Sequence, residues 1–172
     1  VRLVGSEMCI RDSLYIFQRR IVFNKSGHPG APKDYNLDNT EEVYIKTEDN
    51  LKLLSWYHKG NNSLPLIVYF HGNSFHIGDR AYRIQRYIEK NWSVLLVSWR
   101  GFGGNKGNPT EKNLYKDAEA VLKWIKNNTD FKFKELVIYG ESLGSGAAVE
   151  MGTKYEFLSI VLEAPFTSIN DI

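Results

Sequence analysis

Cysteine is almost missing from this sequence. Cys9 is the single one among 172 residues, so a disulfide framework and a cysteine metal site are both excluded. Histidine is nearly as scarce. His28, His58, His71 and His76 are scattered without HExxH-type spacing, and none follows residue 76. No metal and no other cofactor is expected from this set. An excess of one charge is missing as well. The chain carries 22 Lys and Arg against 20 Asp and Glu, mixed along its length, for a net charge of +2. Without a polybasic run, nucleic acid is not an expected partner. Internal repeats and low-complexity segments are also lacking. What is present is an ordinary globular composition, 42% hydrophobic and 24% charged, enough for one domain with a real core.

The first residues stand apart. "RLVGSEMCIRDS" has neither a helical nor a strand period, and it lacks the apolar centre of a signal peptide. Leu3 to Asp12 resemble one-frame translation of a transposase adapter used in sequencing libraries. That resemblance implies that residues 1–13, with Met8 and Cys9, are not native and that the gene was cut at its 5′ end. An unstructured native tail is the alternative. Residues 14–40 begin with "LYIFQRRIVF", which is apolar and aromatic and contains Arg19 and Arg20. This reads either as the end of a membrane-anchoring helix upstream of residue 14 or as an apolar segment packed on the domain. The stretch is far short of the roughly 20 apolar residues of a span. The first reading places the protein at a membrane and the second in the cytoplasm. A loop rich in Gly, Pro, Asn and Asp follows.

From residue 41 the pattern is regular. "EEVYIKTEDNLKLLSWYHKG" alternates apolar and polar residues around Glu48-Asp49-Asn50 and predicts a hairpin. "LIVYF" (66–70), "VLLVSW" (94–99), "LVIYG" (136–140) and "LSIVLEA" (158–164) are continuous apolar runs, the signature of strands buried on both faces. Helical periods separate them over 77–90, over the segment that starts near Pro109, and over 142–154. Strands alternating with helices predict an α/β fold: a mostly parallel sheet between two helical layers, with the hairpin antiparallel at one edge.

Sites in such sheets form beyond the carboxyl ends of the strands, and three loops there are unusual. Gly140-Glu141-Ser142-Leu143-Gly144 fits G-x-S-x-G between a strand and a helix. The tight turn would strain Ser142, and side chains at the flanking positions would collide with backbone. Ser142 is therefore the candidate nucleophile, and the helix N-terminus behind it favours developing negative charge. His71-Gly72-Asn73 follows "LIVYF". The backbone N–H groups of Asn73 and Leu143 are the candidate oxyanion donors. His71 is either a general base or a side chain that holds its loop by hydrogen bonds, the second reading being preferred. His76 reads as a pocket or surface residue. In "WRGFGGNKGNP" the third glycine of a G-x-G-x-x-G fingerprint would fall on Lys106, so a dinucleotide site is disfavoured. The loop is expected to turn tightly, with Arg100 pairing locally.

These loops together resemble the α/β-hydrolase superfamily, most nearly its Bem46-like and serine aminopeptidase-like hydrolases. His71-Gly72-Asn73, Arg100-Gly101-Phe102-Gly103, "NLYKDAEAVLKWI", the elbow and "LEAPFTSI" carry the resemblance. It implies an α/β-hydrolase fold over residues 41–172 and a serine hydrolase acting on a small acyl substrate. Phe75 departs from the small residue that relatives tend to carry there, and its side chain is expected to narrow the acyl pocket. In this superfamily an acid and then a histidine follow the serine. After Ser142 come Glu150, Glu156, Glu163 and Asp171, and no histidine. The expectation is a C-terminally truncated domain, inactive alone for want of acid, histidine and cap. A non-catalytic binding or scaffolding protein on the same fold is the alternative.

Overall fold

A computed structural model describes residues 27–166 of the chain. The adapter-like residues 1–13, the aromatic stretch 14–23 and Asp171 lie outside the described residues. Six strands form one sheet. β1 (Thr40–Lys46) and β2 (Lys52–His58) make the expected antiparallel hairpin around Asp49 and Asn50. β3 (Leu66–Phe70), β4 (Ser93–Val97), β5 (Leu136–Glu141) and β6 (Ser159–Glu163) run parallel to one another, and the sheet order is β1-β2-β4-β3-β5-β6. β2 meets β4 antiparallel. Every residue of β3 and β4 is buried, as their unbroken apolar runs require.

Alternate side chains of each central strand feed two cores. Val68, Phe70, Leu95 and Val97 face one side, against helices α2 (Glu111–Asn128) and α3 (Leu143–Lys154). Ile67, Tyr69, Val94 and Leu96 face the other, against Ile84 of helix α1 (Ala81–Ile88). The α2 stripe Leu114, Ala118, Val121, Leu122 and Ile125 is buried as its helical spacing predicts.

Three details differ from the sequence reading. The helix expected over 77–90 opens instead with a 3-10 turn, Ile77–Arg80, in which the Asp79 carboxylate accepts from the His76 backbone N–H at 3.1 Å. β4 stops at Val97 because Asn105 Nδ2 donates to the carbonyls of Ser98 and Trp99, at 3.1 and 3.2 Å, and draws the chain out of the ladder. Pro109 precedes α2 rather than joining it, since Thr110 is the N-cap and its hydroxyl accepts from Asn113 N at 3.2 Å. Among the described residues β6 is an edge strand, and its Ile160, Val161 and Leu162 are each 39% exposed. Among the described residues no helix is long and apolar enough to cross a membrane.

Candidate active site

The turn between β5 and α3 is a single residue. Ser142 sits at φ 46° and ψ −111°, a region that side chains rarely occupy and that costs on the order of 1–3 kcal/mol. Its surroundings over-determine it. The Ser142 N–H donates to Glu163 O at 2.8 Å, and its carbonyl accepts from Ser145 N at 2.8 Å and from Ser145 Oγ at 2.5 Å. The flanking glycines are required by contact, as the sequence reading held. A Cβ on Gly140 would come within 2.7 Å of Gly144 O, and one on Gly144 would land on the Phe70 carbonyl. The Ser142 side chain makes no cap hydrogen bond. Leu143 is the first residue of α3, so its N–H has no acceptor within the helix.

The loop after β3 lies against this elbow. A Cβ on Gly72 would stand 3.3 Å from Ser142 Cβ and 3.1 Å from Glu141 Oε1. His71 is fully buried, with Nδ1 2.6 Å from Gly72 O, and Trp99 Nε1 donates to His71 O at 2.9 Å. At 2.6 Å from a carbonyl oxygen Nδ1 must carry the proton, which leaves Nε2 as the lone-pair nitrogen. These contacts agree with the loop-holding role for His71. Asn73 follows, its Oδ1 buried without a hydrogen-bond partner among the described residues. Phe75 has φ 63° and is 54% exposed, its ring turned substantially to solvent. His76 Nδ1 lies 2.9 Å from Asp79 Oδ2.

Burial, and next the nearby Arg80 charge, push the His71 imidazole down to about 4. Its folded value is thus below the roughly 6.5 of an unfolded chain. As pH falls from 6.5 the unfolded chain takes up the proton first. This contribution to stability is therefore complete above 6.5 and is lost toward pH 4, up to about 3 kcal/mol at roughly 1.4 kcal/mol per unit. The expected result is a neutral, Nδ1-protonated His71 ring at pH 5.5 by nitrogen NMR. An imidazolium at that pH would contradict it.

Two charged groups complete the site. Arg80 is buried and bridges the loop to the elbow. It donates from Nε to Glu141 Oε2 at 3.2 Å, from one terminal nitrogen to Glu141 Oε1 at 2.9 Å, and from the other to Ser74 O at 2.5 Å. Tyr69 Oη also donates to Glu141 Oε2, at 2.9 Å. Burial alone would raise the Glu141 carboxyl, but the Arg80 hydrogen bonds and charge hold it below its ordinary range. Glu163, an acid weighed from the sequence, turns its carboxylate to Tyr139 at 2.6 Å and Arg83 at 2.5 Å, and these hold it ionised below its ordinary range.

The glycine-rich loop after β4 is locked by Arg100, which pairs with Asp117 of α2 and Asp49 of the β1–β2 turn. Gly101, Gly103, Gly104 and Gly107 all take positive φ, so the glycines serve its turns. Among the described residues no group of three or more His, Cys, Asp or Glu side chains could hold a metal ion.

A sequence profile of the serine aminopeptidase S33 family matches residues 62–172, a stretch that runs from before β3 through the elbow. The chain belongs to the serine aminopeptidase S33 family. This S33-family chain is 32% identical over 160 residues to an uncharacterized protein of Mycobacterium tuberculosis, covering 90% of itself and 56% of that relative. It is 29% identical to protein bem46 of Schizosaccharomyces pombe, covering 92% and 57%. Among solved structures, the esterase Pf2001 of Pyrococcus furiosus matches with a TM-score of 0.70 and 26% identity, over 83% of this chain and 57% of that one. The fold is that of a Bem46-like α/β-hydrolase, and the family is one of hydrolases. The S33-family chain spans a little more than half the length of these relatives.

Sequence reasoning missed the Arg80–Glu141 pair. The two residues lie 61 positions apart, and an isolated arginine on a turn has no spacing signal. One hint was available: Glu141 is an acid directly between a buried strand and a strained turn, where an unpaired carboxylate would be costly.

Proposed function

We propose that the intact protein is a serine hydrolase that cleaves an ester, thioester or peptide-like bond through an acyl-enzyme on Ser142. The observation that carries this reading is the strained Ser142 backbone at the β5–α3 elbow, held by both its N–H and its carbonyl. Such strain persists where function uses it. In the proposed reaction Ser142 Oγ attacks the acyl carbon and gives its proton to a general base. The oxyanion of the tetrahedral intermediate takes hydrogen bonds from the N–H groups of Asn73 and Leu143, and the partial positive end of α3 favours the same charge. The leaving group departs with the proton, and water then hydrolyses the acyl-enzyme by the reverse sequence.

His71 is a poor candidate for the base. Its ring is fully buried, and its lone-pair nitrogen, Nε2, has no hydrogen-bond partner among the described residues, Ser142 included. The base and its orienting acid would come from the part of the relatives' length that this chain does not span. The 172-residue chain alone, with no histidine after residue 76, is then expected to be inactive. The test is steady-state turnover of acyl esters, acyl thioesters and aminoacyl amides by the intact protein and by this chain. Saturable turnover of at least one class by the intact protein alone is expected. No turnover of any class would contradict the reading.

A further inference from the structure

The elbow and the Asn73 loop come from strands that are neighbours in the sheet, yet the two loops exchange no backbone hydrogen bond among the described residues. One side chain joins them by hydrogen bonds. The Arg80 guanidinium donates two hydrogen bonds to Glu141, the residue before Ser142, and a third to the carbonyl of Ser74, the residue after Asn73. It therefore contacts the chain one residue away from the nucleophile and one residue away from an oxyanion donor. The clamp is well shielded: the Arg80 side chain is 9% exposed and that of Glu141 15%. A planar fork with several fixed donors suits this task, and the single ammonium of lysine cannot reproduce it.

We infer that Arg80 is a positioning residue, which sets the Asn73 N–H at the distance from Ser142 Oγ that the tetrahedral intermediate requires. The inference rests on the serine-hydrolase reading. Its mechanism is geometric. Asn73 is flanked on one side by Gly72, where an added Cβ would meet Ser142 Cβ at 3.3 Å, and on the other by Ser74, whose carbonyl Arg80 holds. Phe75, with φ 63°, follows at once, and apart from an isolated β-bridge at Ser74 the loop has no regular secondary structure. Releasing the Ser74 carbonyl loosens that side. An oxyanion donor misplaced by about 1 Å costs on the order of 100-fold in rate, and it costs little in ground-state binding, because the oxyanion exists only beyond the ground state.

The test uses the intact protein and reads both phosphonylation by a fluorophosphonate and steady-state kinetics, well below the unfolding midpoint. Arg80→Lys is expected to lower kcat by about 10- to 100-fold with KM changed by less than about threefold. Glu141→Gln, which keeps the shape but weakens the pair, is expected to lower kcat less, and it serves if Arg80→Lys fails to fold. The double variant should be no slower than Arg80→Lys alone, since both act on one clamp. Ile125→Val thins the core under α2 without touching either loop. It should lower the midpoint and leave kcat unchanged, which separates positioning from mere stability. A wild-type protein that labels at Ser142, with Arg80→Lys and Glu141→Gln labelling and turning over at the wild-type rate, would overturn the positioning role alone. Failure of the wild type to label at Ser142 would overturn the hydrolase reading and this inference with it.

Discussion

Ser142→Ala in the intact protein is expected to lower turnover by about 10⁴- to 10⁶-fold while leaving the fold in place. The loss is large because nothing else at the elbow can form the covalent intermediate. What remains would come from binding and from the two amides. The fold should survive for a specific reason. The Ser142 side chain makes no cap hydrogen bond, and the contacts that hold the turn run through its backbone. Alanine occupies the same strained φ without losing any of them. The unfolding free energy from urea melts should therefore match wild type to within about 0.5 kcal/mol. A variant that loses activity and stability together would point to a structural serine instead.

The second large effect falls on stability and lies away from the serine. Arg100 and Asp117 are 2% and 0% exposed. Arg100 Nε and a terminal nitrogen donate to Asp117 Oδ1 at 2.9 and 2.6 Å, and the backbone N–H of Arg100 donates to Asp117 Oδ2 at 3.1 Å. The rest of the guanidinium reaches Asp49, at 2.7 and 3.1 Å. One side chain thus ties the loop after β4 to α2 and to the hairpin. Arg100→Ala leaves the Asp117 carboxylate buried with a single backbone donor. Removing one member of a buried pair costs about 3–5 kcal/mol, out of a total stability of roughly 5–15 kcal/mol for an ordinary domain. The expected result is a large fall in the urea midpoint of the intact protein. Because both members are deeply buried, 0.5 M salt should leave the wild-type advantage largely intact. A loss below about 1 kcal/mol would mean that water reaches Asp117 and solvates it.

Much of this architecture could be read from local pattern. "LIVYF" is apolar without alternation because both faces of that strand are buried, one in each core, whereas "LVIYG" alternates buried with half-buried positions. The elbow was legible for the same reason: two glycines around a serine, at a strand-to-helix junction, are demanded by backbone contact and not by solvent exposure. The failures have a common cause. The end of β4 depends on Asn105, seven residues from Ser98. The Arg80–Glu141 clamp and the second partner of Arg100, Asp49, join positions 61 and 51 residues apart. Pairings at such separations leave no period and no motif in a single sequence. His71 falls between these cases. Its place beside the elbow was legible, while its choice between base and loop support turned on a ring orientation that only the folded chain defines.

The most direct measurement is to treat the intact protein with a fluorophosphonate and map the adduct by peptide mass spectrometry. The account expects one stoichiometric adduct, on Ser142, absent from the Ser142→Ala variant. An adduct on another residue, or labelling of equal extent in Ser142→Ala, would contradict it.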